Sequence, residues 1–92
     1  MLTAKYPRAK LAHTPTPIEL LPRLSKEIGG PAIWVKRDDC TGLAFGGNKA
    51  RQLEYYLGEA LRDKADTILI TSAVQSNYSR SAVAAARKYG LG

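Results

Sequence analysis

Ninety-two residues are enough for one small domain with a thin hydrophobic core. The composition, 45% hydrophobic and 24% charged without a low-complexity run, is that of a globular chain, and no apolar stretch approaches the length of a membrane span. The net charge of +6 is scattered with no run of five like charges, so it predicts a moderately basic surface and no nucleic-acid partner.

The chain opens with MLTAKYPRAKLAHTPTP, which lacks the apolar core of a secretory leader and points to a cytoplasmic protein. Pro7, Pro15 and Pro17 bias this stretch towards an extended arm that runs into residues 18–21. A short helix over 22–28 follows, stopped by Gly29, Gly30 and Pro31, so 1–31 is read as arm plus short helix and 32–92 as the rest of the fold. Residues 32–38, AIWVKRD, are β-branched and aromatic, which predicts a strand with Trp34 in the core. In the polar turn DDCTG, Asp38 and Asp39 lack the spaced third ligand of a metal site and are expected to salt-bridge or shape the turn. Cys40 is the single cysteine, which excludes an internal disulfide and a cysteine-based zinc site; it is expected to be a small buried residue.

Next comes GLAFGGNKARQLE at 42–54, with three glycines in six residues. Glycines cost backbone entropy, so the chain must turn tightly or approach something closely here. A helix begins near Asn48, because Ala50, Leu53, Leu57, Ala60 and Leu61 fall on one stripe with Tyr56 at its flank. Asn48 reads as N-cap, which puts Lys49 in the first turn, where a cation opposes the helix dipole. TILIT at 67–71 is the pattern of a strand buried on both faces of a parallel sheet. SAVQSN then leads into an alanine-rich helix over about 78–89, capped by Ser76 or Asn77 and stopped at Gly90. Strand, glycine loop, helix, strand, polar loop and helix make an α/β pattern. Two strands cannot build the covered sheet that 67–71 demands, so the chain is expected to be the N-terminal piece of a larger protein.

Gly42 and Gly47 have the spacing of a phosphate-binding loop, yet Asn48 stands before the lysine and Ala50 replaces the hydroxyl residue. Both positions that carry that chemistry therefore fail. A lysine amine can instead form a Schiff base with a carbonyl compound, including the aldehyde of pyridoxal phosphate, and a helix N-terminus lowers its basicity. A surface lysine beside a flexible loop is the plainer alternative. Gln75, Ser76 and Asn77 set amide and hydroxyl groups at a helix N-terminus after a strand, where α/β proteins bind ligands and anions are favoured. Simple helix capping is the alternative there.

GLAFGGNKxRxLE followed by QSNxxR, in this order and spacing, resembles the fold type II (tryptophan-synthase-β-like) pyridoxal-phosphate enzymes. The similarity extends upstream through HTPTPIELLPRLS and IWVKRDDCTGL, so it covers nearly the whole chain. It falls in the branch that holds D-cysteine desulfhydrase, 1-aminocyclopropane-1-carboxylate (ACC) deaminase and L-cysteate sulfo-lyase. The resemblance implies the N-terminal part of a three-layer α/β/α domain with a mainly parallel sheet, pyridoxal 5'-phosphate as cofactor, a small amino-acid substrate and a homodimer. It implies that Lys49 carries the cofactor and then serves as base at the substrate α-carbon. Ser76 is implied to contact the substrate and act in proton transfer, Asn77 to hydrogen-bond the pyridoxal oxygen, and Tyr78 to border the substrate. The implied activity is that of a lyase or deaminase, D-cysteine desulfhydrase first, with L-cysteate sulfo-lyase and ACC deaminase as alternatives. A non-catalytic truncated remnant is the reading of another class. Three positions depart from the family pattern: Tyr78 stands where histidine or glutamine is usual, Gln52 where lysine is usual, and Ser72 where glycine is common. The phosphate cup and the partner of the pyridine nitrogen are implied to lie beyond residue 92, so the 92 residues alone are expected to be inactive.

Overall fold

The computed structural model describes residues 2–92. After a 3-10 turn at Leu2–Lys5 the arm leads to β1 (Ile18–Leu20), then α1 (Pro22–Ile28) and β2 (Trp34–Lys36). β1 and β2 pair antiparallel with Glu19 opposite Val35. Pro22 sits in the first turn of α1, where an N–H would have no partner, and Gly29 closes the helix in the left-handed region at φ 72°. The Ser25 hydroxyl accepts from the Ile33 N–H at 2.9 Å and so folds the chain back behind α1. The strand expected over 32–38 is reduced to three residues, and its partner is the extended segment that follows the prolines. Trp34, expected in the core, is 58% exposed, because in this two-stranded ribbon only the middle residue of β2 is partly covered.

The core forms where α2 (Lys49–Arg62) meets α3 (Asn77–Lys88). Ala50, Leu53 and Leu57 of the expected stripe are buried, against Ala82, Ala85 and Ala86 of α3 and against Ala9, Leu11 and Leu91. Fully burying a leucine contributes about 1.5–3 kcal/mol, so these few side chains carry much of the cohesion. Ala60 and Leu61 are half-buried, and Tyr56, placed at the flank, lies mostly in solvent. Gly58 is buried because the arm crosses α2 there: a Cβ on it would stand 2.4 Å from the Pro7 carbonyl oxygen. The last turn of α3 is a Schellman motif. Leu91 N–H donates to Ala86 C=O at 2.9 Å and Gly90 N–H to Arg87 C=O at 3.2 Å, with Gly90 at φ 75° and Leu91 tucked into the core.

No strand forms at 67–71. Ile68 and Ile70 pack on the core, whereas Leu69 is 92% exposed, so one face is covered and not two. A strand needs a ladder, and here the neighbouring chain is Gly92. Its N–H donates to Asp66 C=O at 2.8 Å and its C=O accepts from Ile68 N–H at 2.9 Å, the slanted pair of a parallel bridge. The parallel arrangement expected for this segment is thus present as its first two hydrogen bonds. The molecule is a slab of 52 × 35 × 17 Å with a radius of gyration of 16.4 Å. A compact domain of this length would measure about 12 Å. A slab this thin leaves Phe45, Leu69 and Val74 uncovered. Cys40, expected to be buried, is exposed, because the 3-10 turn Asp38–Cys40 lies at the surface, where the chain leaves β2 for the glycine loop. Among the described residues no helix is long and apolar enough to cross a membrane.

Candidate cofactor and substrate site

The glycine loop runs largely through the left-handed region, which is strained at its two non-glycine members. Ala44, Phe45, Gly46 and Gly47 have successive φ values of 45°, 72°, 83° and 122°, and Gly42 has 91°. For Ala44 and Phe45 a left-handed conformation costs roughly 1–2 kcal/mol each, so the surroundings must hold it. Gly46 is required twice over, by its φ and by the 2.0 Å that would separate an added Cβ from the Asp39 carbonyl oxygen. His13, for which the sequence shows no partner, lays its ring on Gly42 and donates its backbone N–H to Thr41 C=O at 2.8 Å. The fully buried Thr41 donates its hydroxyl to Gly47 C=O at 2.7 Å. From α3, Arg80 Nε donates to Ala44 C=O at 2.7 Å.

This loop delivers Asn48 and Lys49 to the start of α2. Asn48 occupies the N-cap position in helical conformation, φ −68° and ψ −24°, and its side chain makes no capping bond. Lys49 is exposed, and among the described residues its ammonium forms no hydrogen bond or ion pair. The first turn of α2 contains Lys49 and Arg51 but no acid. The compensating charge comes from elsewhere: Arg51 Nε donates to Asp38 Oδ2 at 2.7 Å and Nη2 to Asp38 Oδ1 at 3.1 Å. The Thr16 hydroxyl also donates to Asp38 Oδ1. Arg51 first, and Thr16 second, hold the Asp38 carboxyl down to about 2. Asp39 is likewise held at about 2, by Arg37. The pair of aspartates therefore forms salt bridges, as expected for this turn.

One turn further along α2, Glu54 is fully buried. Its Oε1 accepts from Arg8 Nε at 2.9 Å and from Arg8 Nη2, and its Oε2 accepts from the Leu11 and Ala12 N–H groups at 2.8 and 3.1 Å. Burial pushes the Glu54 carboxyl up, but the bonds from Leu11, Arg8 and Ala12 together outweigh it and leave the group below its ordinary value. Arg8 also lies over the Tyr55 ring, 5.3 Å from its centroid. The arm is thereby fastened to the same helix that carries Lys49.

At the second loop Ser76 caps α3 by accepting from the Ser79 N–H at 3.2 Å. Asn77 Oδ1 accepts from Arg80 Nη1 at 2.9 Å. Tyr78 is half-buried and packs its ring on the core cluster. Ser72 is exposed, and its hydroxyl hydrogen-bonds that of Ser79. Gln52, also exposed, donates to the Tyr56 hydroxyl at 3.0 Å along α2. Among the described residues no hydrogen bond joins Lys49 directly to Ser76, Asn77 or Tyr78; the two loops are joined through Arg80, which bonds Asn77 and Ala44 together. Sequence reasoning quoted Arg51, Glu54 and Arg80 as letters of the motifs and gave them no task. A charged residue between Leu53 and Leu57 on a core-facing helix was the signal for Glu54, since such a charge is buried only when it is fully partnered.

Residues 9–92 match the family of pyridoxal-phosphate dependent enzymes. Over 87 residues the chain is 51% identical to D-cysteine desulfhydrase of Salmonella paratyphi C, a match covering 95% of this chain and 26% of that protein. It is 50% identical over 90 residues to a putative ACC deaminase of Pyrococcus horikoshii, covering 98% of this chain and 27% of that one. A crystal structure of an ACC deaminase homologue matches it with a TM-score of 0.92 at 50% identity, again over 98% of this chain and 27% of the other. The chain thus spans about a quarter of the length of these relatives. The likeness takes in the arm, the glycine loop and both long helices, with the α/β fold expected from the motifs. The chain belongs to the pyridoxal-phosphate dependent enzyme family.

Proposed function

We propose that the chain is the N-terminal quarter of a pyridoxal-phosphate lyase or deaminase, with D-cysteine as the first-choice substrate and pyruvate, ammonia and sulfide as the products of its reaction with water. The observation that carries this reading is the unpartnered Lys49 amine at the end of a loop whose backbone keeps a positive φ from Ala44 to Gly47. The residues present fit the cofactor. Lys49 is free to bond a carbonyl carbon. Because Asn77 Oδ1 is taken by Arg80, its NH2 is left to donate to the phenolic oxygen. Ser76 Oγ accepts from Ser79 N–H and keeps its own proton to donate. The N-terminus of α3, with Ser76, Asn77 and Tyr78, favours a substrate carboxylate.

When bound, the cofactor supplies a sink for the electron pair left at the substrate α-carbon. Lys49 Nζ accepts the α-proton, and Ser76 Oγ holds or returns a proton beside it. The family likeness also supports a cytoplasmic homodimer. Borohydride reduction of the full-length protein with pyridoxal phosphate, followed by peptide mapping, is expected to place the added mass on Lys49 and to lose it in Lys49→Ala. A label on another lysine would overturn the assignment. A second reading, ACC deaminase, is favoured by the 50% identity to the Pyrococcus horikoshii protein. Assays against D-cysteine, L-cysteate and the cyclopropane amino acid decide between them: kcat/KM is expected to be highest for D-cysteine. A higher value for either of the others would replace that substrate. Tyr78→His, restoring a residue usual in desulfhydrase-like members, is expected to change the ratio among the three.

A further inference from the structure

We propose that Arg80 is a positioning residue, which fixes the glycine loop and the Asn77 amide from one guanidinium and so sets the loop that delivers Lys49 against the loop that delivers Asn77. The inference rests on the reading of Lys49 and Asn77 as cofactor-holding residues. Two separate nitrogens do the work: Nε reaches Ala44 C=O at 2.7 Å and Nη1 reaches Asn77 Oδ1 at 2.9 Å. The same guanidinium lies 5.7 Å from the centroid of the Phe45 ring. A bond between Arg80 and Asn77 alone would be an ordinary neighbour pair on one helix face. The bond to Ala44 spans 36 residues of sequence and ends on a residue held at φ 45°.

Each bond has a consequence for the site. The left-handed pair Ala44 and Phe45 persists only while something outside the loop holds it, and Arg80 does so through the carbonyl and the ring. An asparagine amide is nearly symmetric in shape, but a guanidinium can only donate. Arg80 therefore selects the Asn77 rotamer whose oxygen faces the helix and whose NH2 is presented to a hydrogen-bond acceptor. A lysine at position 80 has one nitrogen and cannot reproduce the rigid fork.

The test uses the full-length protein with Arg80→Lys, Asn77→Ala and the double variant. Three quantities are read: the dissociation constant for pyridoxal phosphate, the pH midpoint of the cofactor's visible absorbance, and the thermal unfolding midpoint. Arg80→Lys is expected to weaken cofactor binding about tenfold, the size of one charge-assisted hydrogen bond. It should move the absorbance midpoint in the same direction as Asn77→Ala, with the unfolding midpoint within about 4 °C of the parent. The double variant should lose less than the sum of the two single losses, because part of the effect of Arg80 runs through Asn77 and part through the Ala44 carbonyl. Parent-like affinity and absorbance midpoint in Arg80→Lys, or fully additive losses, would overturn the proposal. If Arg80→Lys does not fold, Arg80→Ala is titrated with methylguanidinium: recovered cofactor affinity supports the role, and no recovery overturns it. Borohydride labelling of Lys49 in the parent protein is run alongside. A parent that fails to label Lys49 sinks the cofactor reading itself, whereas normal labelling with a silent Arg80→Lys sinks only the role of Arg80.

Discussion

At the N-terminus of α3 a serine hydroxyl accepts the Ser79 N–H, and no cation stands in the first three helical residues. At the N-terminus of α2, Asn48 makes no side-chain bond, while Lys49 and Arg51 crowd the positive end of the dipole. α3 carries its own start; α2 is supported from outside. Asp38, itself bonded by Thr16, neutralises Arg51; Thr41 and Arg80 hold the strained loop in front of it, and Glu54 ties the following turn to the arm. The difference teaches that the chain forgoes a side-chain cap and an acidic first turn where Lys49 begins α2, and makes up for them through tertiary contacts. The arm, read from its prolines only as an extended stretch, is one of these supports.

Removing either of the two strongest outside supports, Gly46 or Glu54, should damage α2 more than removing an internal cap damages α3. The largest loss is expected from Gly46→Ala, which combines a left-handed backbone with an added Cβ 2.0 Å from the Asp39 carbonyl oxygen. We expect destabilisation of about 3 kcal/mol or more and loss of borohydride labelling at Lys49. A urea midpoint equal to the parent's would mean that the loop can be rerouted and that the strain is incidental. Glu54→Gln comes next, at about 2–3 kcal/mol, because an amide NH2 must then face the N–H groups of Leu11 and Ala12 or the Arg8 guanidinium. Retained stability in this variant would show that the arm does not brace α2.

The two caps can be compared directly. Ser76→Ala is expected to cost about 1 kcal/mol, the usual value of a serine cap, whereas Asn48→Ala should cost no more than a few tenths. Equal losses at the two positions would erase the contrast between the helices.

Both long helices, the motif loops and the stop at Gly90 were legible because each rests on local chemistry: an apolar stripe, a capping hydroxyl, a glycine in the left-handed region. The long strand over 67–71 was misplaced because apolar character reports what a segment could bury, while a ladder needs partners distant in sequence, and here Gly92 contributes two bonds. Trp34 and Cys40 failed for a related reason, since residue type says nothing about how thin the surrounding layer is. The sequence singled out Lys49 and the QSN loop but not the contacts that place them. Arg80 to Ala44 and Arg8 to Glu54 are contacts between residues 36 and 46 positions apart, with no periodic signal to announce them.

The smallest expected effect separates the two helix starts by their response to acid. Asp38 has an ordinary value of 3.8 and is held at about 2 by Arg51 and then Thr16. A carboxylate whose folded value lies below its unfolded value contributes stability above the unfolded value and loses it as pH falls through the folded one. The support that Asp38 gives α2 should therefore be complete above about pH 4 and fade towards about pH 2. Glu54 and Asp39 shift in the same direction, so the parent's acid sensitivity alone does not isolate Asp38. The difference between the parent and Asp38→Asn does. Measured by urea unfolding, it should be small, greatest near about pH 6 and shrinking steadily below about pH 4. The Ser76→Ala difference should stay flat across the same range, because a hydroxyl cap has no charge to lose. If the Asp38→Asn difference is also flat, Asp38 is not the charge that supports the start of α2, and the contrast between an acid-sensitive helix start and an acid-indifferent one falls with it.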